Sequence, residues 1–175
     1  VVDCGGVGYA CHTSAYTLSK LRVGQRAKLY THCNIREDAF DIFGFSTAEE
    51  LRCVALSYLK PKRMAHVLGT EEEAVRLARR YGVDETEARV AALLHDCTKK
   101  LGLEEQLQLC EQYGVQLDEM QAWALKLQHA ITGAAVARDV FGVSDAVYEA
   151  IRWHTTGKAD MNLLEKIIYV ADYME

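Results

Sequence analysis

Asp84-Glu85-Thr86-Glu87-Ala88-Arg89-Val90-Ala91-Ala92-Leu93-Leu94-His95-Asp96 is the stretch on which the fold turns. Asp84 is a favourable N-cap, acidic side chains follow it, and the apolar residues recur at helical spacing, so a helix is expected over 84–96. Outward from it, the chain reads as helix after helix. An amphipathic segment over 71–81 stops at Gly82, and one over 103–113 stops at Gly114. Further helices are expected near 118–141, 144–154 and 161–174. The single proline, Pro61, falls near the start of this region, where a first-turn proline is tolerated.

The residues before about 57 read differently. Short strands are expected over 1–4 and 9–13, separated by the turn-rich Gly5-Gly6-Val7-Gly8, and over 27–35 and 38–45. Ser46 or Thr47 then caps a helix with Glu49 and Glu50 in its first turn. The expected fold is therefore mainly α: an all-α bundle over 54–175 preceded by a small β segment over 1–53. No Pro/Gly/Ser-rich linker separates them.

Composition narrows the function. Half of the 175 residues are hydrophobic and 26% are charged, which suits a packed globular core rather than disorder. The net charge of -5 gives no support to a general nucleic-acid or membrane-surface binder. Residues 1–57 carry six basic and six acidic side chains, leaving fourteen and nineteen for the rest, so the helical part holds all the net charge. No run is long enough for a membrane span and no secretory pattern opens the chain, so a cytoplasmic protein is expected. The start at Val1 points to a fragment or a processed chain. Cys4, Cys11, Cys33, Cys53, Cys97 and Cys110 form no CxxC pair and read as reduced, mostly buried thiols.

The chemistry concentrates in five places of the helical region: His66, His95-Asp96, His129, His154 and Asp172. Asp172 ends the apolar run Ile167-Ile168-Tyr169-Val170-Ala171, so its helix is expected to be largely buried, and an ionised carboxylate there calls for a cation. Imidazole nitrogen mixed with carboxylate oxygen suits Fe, Mn, Zn or Co, and the lack of cysteine in the set argues against a structural zinc site. Any one of these residues alone reads more simply as a core or surface side chain. The ordered set H…HD…H…H…D on expected helices reads as a metal centre able to activate water for attack on phosphorus.

These motifs bring a family into view. Lys62-Arg63-Met64-Ala65-His66-Val67-Leu68-Gly69-Thr70, Ala92-Leu93-Leu94-His95-Asp96-Cys97-Thr98-Lys99, His129-Ala130-Ile131-Thr132-Gly133-Ala134, Ile151-Arg152-Trp153-His154-Thr155-Thr156-Gly157 and the closing Ile167 to Glu175 resemble an HD-domain phosphohydrolase. More narrowly, residues 58–175 resemble the YqeK family of bacterial symmetrical bis(5′-nucleosyl)-tetraphosphatases. The resemblance implies hydrolysis of diadenosine tetraphosphate to two ADP at an iron-type centre, with Mn, Co or Zn as alternatives. It assigns the metal to His66, His95, Asp96 and Asp172, and catalytic roles to Asp96, Lys99 and His129. By the same resemblance the substrate would meet Arg63, His66, Asp96, Cys97, Thr98, Lys99, His129, His154, Thr155, Thr156 and Asp172, with His129 and His154 facing phosphates or a second metal position. It also implies that the family continues for about one helix beyond Glu175. Other HD domains cleave alarmones, deoxynucleotides or cyclic dinucleotides, and the motifs leave these substrates open, as they leave self-association open.

Residues 1–53 resemble the N-terminal OB-fold domain of RuvA, the Holliday-junction-binding protein, through Gly6-Val7-Gly8-Tyr9, Leu29-Tyr30-Thr31-His32, Arg36-Glu37-Asp38-Ala39 and Phe43-Gly44-Phe45-Ser46-Thr47-Ala48-Glu49-Glu50. That resemblance implies an acidic pin at Glu37 and Asp38, whose plainer reading is a polar hairpin turn. It sets a DNA junction beside a nucleotide as the alternative partner, and makes the chain a fusion or chimera. The expected first strand of that domain and its helix-hairpin-helix regions are missing, and no basic face supports DNA binding.

Overall fold

A computed structural model of the protein describes Val2–Asp3, Gly8–Tyr9 and residues 48–175. At the N-terminal end, β1 (Val2–Asp3) pairs antiparallel with β2 (Gly8–Tyr9), Val2 opposite Tyr9 and Asp3 opposite Gly8. The strands expected over 27–35 and 38–45, the cap at Ser46 or Thr47, and the Glu37-Asp38 pair lie outside the described residues.

Eight helices follow among the described residues: α1 (Ala48–Ser57), α2 (Pro61–Tyr81), α3 (Glu85–Leu94), α4 (Leu103–Gln112), α5 (Glu119–Trp123), α6 (Leu125–Phe141), α7 (Asp145–Trp153) and α8 (Leu163–Met174). α3 is the centre of the bundle, touching α1, α2, α6, α7 and α8. Its N-terminus is capped as expected, Asp84 accepting from the Glu87 N–H. From Val90 to Leu94 every side chain is buried, so this short helix ends inside the protein rather than at its surface. Beyond Leu94 the chain stays coiled through i→i−3 bonds, Cys97 to Leu94, Lys99 to Asp96 and Leu101 to Thr98. Gly133 is where the α6 backbone comes against this turn, its missing Cβ position lying 3.4 Å from the His95 carbonyl oxygen.

Three elements depart from the sequence expectation. The helix expected over 71–81 starts at Pro61 instead, with Pro61 in its first turn, and carries His66 on its inner side before ending at Gly82 in the left-handed region. The segment near 118–141 is two helices, broken at Ala124. The buried Gln128 amide donates to the Gln121 and Ala122 carbonyls that the break frees, at 3.1 Å each. The third departure is α8, which is not buried all round. Leu164, Ile167, Ile168 and Ala171 face the core at helical spacing, while Tyr169, Val170 and Tyr173 are exposed.

α1 is held to the bundle by a buried carboxylate. Glu71 on α2 accepts from Arg52 of α1, at 2.7 and 2.8 Å, and from Arg89 of α3. Removing one partner of such a cluster strands the opposite charge. Glu71→Ala is expected to lower stability by about 2–4 kcal/mol, read by urea denaturation.

Candidate metal centre

Three histidines are set by one local device. His95 Nδ1 is 2.6 Å from the Ala92 carbonyl, His129 Nδ1 2.8 Å from that of Lys126, and His154 Nδ1 2.7 Å from that of Ile151. Each is an i→i−3 contact to a helical carbonyl, which only an Nδ1–H can donate to. The Nδ1 tautomer leaves Nε2 with a free lone pair, and all three Nε2 atoms turn toward Asp96. His66 adds its Nε2 from α2 and Asp172 its carboxylate from α8. Five separate stretches of chain, two of them just past the ends of α3 and α7, thus meet at one point.

The spacings distinguish this cluster from an ordinary hydrogen-bond network. Asp172 Oδ1 lies 2.9 Å from His66 Nε2 and 3.3 Å from His95 Nε2, and Asp96 Oδ2 lies 3.6 Å from His95 Nε2. Even so, His66 Nε2, His95 Nε2 and Asp96 Oδ1 are buried without a hydrogen-bond partner. Such an atom costs about 1–3 kcal/mol. Donor atoms that each sit about 2.0–2.2 Å from one ion stand about 3 Å from one another, which is the spacing seen. The nitrogen and oxygen donors fit a divalent transition ion. His95, His154 and Asp172 form one possible ligand group, His66, His95 and Asp96 another, and Asp96, His129 and His154 a third, with Asp96 shared by two.

Charge is arranged around Asp96. Burial opposes its ionisation, but the close approach of His129 and the fields of His95 and Lys99 hold the carboxyl well below the usual range. Asp172 is likewise opposed by burial and held low, through His95 and His154. Burial pushes the His95 imidazole down, yet Asp172 and Asp96 outweigh it and leave it raised. Burial lowers His129, with Lys99 adding to the effect, and takes His154 to about 3, with His95 and His129 adding theirs.

The other residues singled out from sequence divide into two groups. Arg63 reaches Asp96 from the first turn of α2, and its Nε has no partner. Lys99 Nζ stands 2.9 Å from His129 Nε2 and 3.4 Å from Asp96 Oδ1 at the open side of the cluster. The Thr155 hydroxyl is buried and unpartnered beside His154. Thr156 is exposed and donates to the Gly157 carbonyl. Cys97 and Thr98 do not join the cluster. The Cys97 thiol sits in the core 3.8 Å from the Gly133 carbonyl, pushed up to about 12 by burial and by Asp96, and the Thr98 hydroxyl donates to the His129 carbonyl. Among the described residues Cys53, Cys97 and Cys110 are free thiols.

Sequence reading passed over Gln106, Gln128 and Thr132, all buried around the His129 backbone. The available signal was a glutamine in register with Leu109 and Cys110 on the inward face of α4.

Residues 63–175 match the HD domain family. The chain belongs to the HD domain family. HD domains bind divalent metal ions, and the cluster of this HD domain has the donors to hold one. The chain is 40% identical over 126 residues to the symmetrical bis(5′-nucleosyl)-tetraphosphatase of Halalkalibacterium halodurans, covering 69% of this chain and 67% of that protein. A solved HD superfamily hydrolase of Clostridium acetobutylicum, described as involved in NAD metabolism, superposes with a TM-score of 0.70 at 40% identity, over 75% of this chain and 70% of that one. Ahead of the HD domain, residues 1–44 match the RuvA N terminal domain. The branch migration subunit RuvA of Streptomyces griseus is 30% identical over 149 residues, covering 78% of this chain and 72% of its own. No helix among the described residues is long and apolar enough to cross a membrane.

The shifts above set an acid limit for the metal-free HD domain. A histidine held at about 3 is neutral in the native state, so unfolding takes up a proton once the pH drops below the ordinary value of about 6.5. Asp96 and Asp172 act in the same sense below about 4, whereas the raised His95 adds stability at low pH that fades as pH rises. His129, also lowered, acts with His154, so four groups oppose one. The melting temperature of the chelator-treated chain is expected to fall from pH 7 to pH 4, and His154→Gln to flatten the part of that fall above pH 5. A melting temperature that holds or rises on acidification contradicts the assignment.

Proposed function

We propose that this chain is a metal-dependent phosphohydrolase of dinucleoside polyphosphates, cleaving diadenosine tetraphosphate to two ADP. The observation that carries the reading is the convergence of four imidazole Nε2 atoms and two carboxylates, with three of those atoms buried and unpartnered. The similarity to symmetrical bis(5′-nucleosyl)-tetraphosphatases supplies the substrate class. In this reading His66, His95, Asp96 and Asp172 hold the ion, with iron foremost and manganese, cobalt or zinc as alternatives. A divalent ion there supplies Lewis acidity and lowers the proton affinity of water.

The protein's own groups then bind and orient. Lys99, at the open side of the cluster, and Arg63, beside Asp96, present cationic donors to the inner phosphates. His129 and His154 direct Nε2 to the same space, and His129, kept neutral by burial, can accept a proton from the attacking water. The unpartnered Thr155 hydroxyl is free to donate to a phosphate or ribose oxygen, with Thr156 at the rim. Water adds to one inner phosphorus, the central P–O bond breaks, and the bridging oxygen leaves with the second ADP. Cys97 and Thr98 support the site from below rather than meeting substrate. In this reading residues 54–175 constitute the catalytic domain, with α1 (Ala48–Ser57) crossing its start, and the free Cys53, Cys97 and Cys110 suit a cytoplasmic setting.

Asp96→Asn and His95→Ala are each expected to lower turnover of diadenosine tetraphosphate by at least about a hundredfold, assayed anaerobically with Fe(II) or with Mn(II). Turnover unchanged by both, or wild-type chain that neither binds metal nor cleaves any nucleotide of a panel, contradicts the reading. A second reading, DNA-junction binding with Glu37 and Asp38 as the pin, rests on the match of residues 1–44 and is tested by gel shift with four-way-junction DNA.

A further inference from the structure

α4 contributes nothing to the metal cluster, yet it buries a polar side chain almost completely outside it. Gln106 is 1% exposed and reaches two other elements. Its Nε2 donates to the Thr98 carbonyl at 2.9 Å, and its Oε1 accepts from the Thr132 hydroxyl. The Thr98 hydroxyl donates in turn to the His129 carbonyl at 3.0 Å and lies 2.9 Å from the Thr132 hydroxyl. The ring therefore closes through an amide that donates at one end and accepts at the other, which no apolar side chain can imitate.

The location of this ring gives it consequence. Thr98 lies between Asp96 and Lys99 on the turn after α3, and Thr132 lies one helical turn beyond His129 on α6. Across that joint run the two contacts that align Lys99 and Asp96 with His129, at 2.9 and 3.2 Å. His66, His95 and Asp172 come from α2, α3 and α8, on the other side of it.

We infer that Gln106 is a positioning residue: by bridging the Thr98 carbonyl and the Thr132 hydroxyl, it sets the distance between the Asp96–Lys99 turn and the helix bearing His129. Its effect on turnover rests on the phosphohydrolase reading; its effect on His129 does not. Gln106→Met keeps the volume and removes both bonds. In this variant manganese content per chain stays at the wild-type value, because three of the four proposed ligands, His66, His95 and Asp172, lie on α2, at the end of α3 and on α8, away from the ring, and Asp96 stays on its turn after α3. Turnover falls at least about tenfold with KM changed less than about threefold, as expected of misalignment rather than lost binding. Gln106→Glu, whose carboxyl in so dry a position stays protonated and can both donate and accept, recovers turnover to within about threefold of wild type.

The independent readout is the histidine side-chain nitrogen correlation spectrum of the metal-free chain, in which the His129 signals move in Gln106→Met while those of His66 keep their places. Where Gln106→Met does not fold, Thr132→Val removes one leg of the ring and is read in the same way. A folded variant with wild-type turnover and unmoved His129 signals overturns the inference. A wild-type chain without hydrolase activity overturns the proposed function, and the His129 signals then decide the positioning role by themselves.

Discussion

An ionised carboxylate with no solvent exposure sits just past the C-terminal end of a buried helix, and the rest of the site is arranged around it. Asp96 follows the last residue of α3 by two positions, where the helix macrodipole presents its negative end. Burial and dipole both oppose a negative charge there. Arg63, Lys99 and the imidazoles of His95 and His129 nonetheless surround it closely enough to keep it ionised. A bound divalent ion would complete that compensation, and the unpartnered Asp96 Oδ1 marks where the protein alone falls short.

The fold makes this arrangement through a small set of rules. Apolar residues on every side of the second half of α3 force it to the centre of the bundle, so its end delivers His95 and Asp96 to the interior. Neighbouring helices need only present one residue each. The repeated Nδ1-to-carbonyl contact then fixes three rings without using any further side chain. Behind the rings, the Gln106–Thr98–Thr132 network and Gln128 saturate the polar groups that a turn and a helix break would otherwise leave buried and unpaired.

Much of this was legible in the amino-acid sequence because it depends on local pattern. The cap at Asp84, the stops at Gly82 and Gly114 and the order H…HD…H…H…D are short-range signals. The remainder depends on packing. The apolar run before Asp172 suggested a largely buried helix, yet α8 leaves Tyr169, Val170 and Tyr173 exposed, and the fully buried carboxylate is Asp96 instead. The break at Ala124 was invisible, since its cause is a glutamine four positions later that caps the freed carbonyls. Cys97 and Thr98 lie between Asp96 and Lys99 in the motif, but the tight turn directs them to the core side. Gln106 was hidden for the same reason as Gln128: an interior polar ring is a property of three elements together, not of any one segment.

The most direct measurement is an anomalous difference map from crystals of the chain grown with manganese. A peak is expected within about 2.0–2.3 Å of His66 Nε2, His95 Nε2, an Asp96 oxygen and Asp172 Oδ1. A map without that peak, or with density held by His129 and His154 but not by His66 and Asp172, contradicts the account.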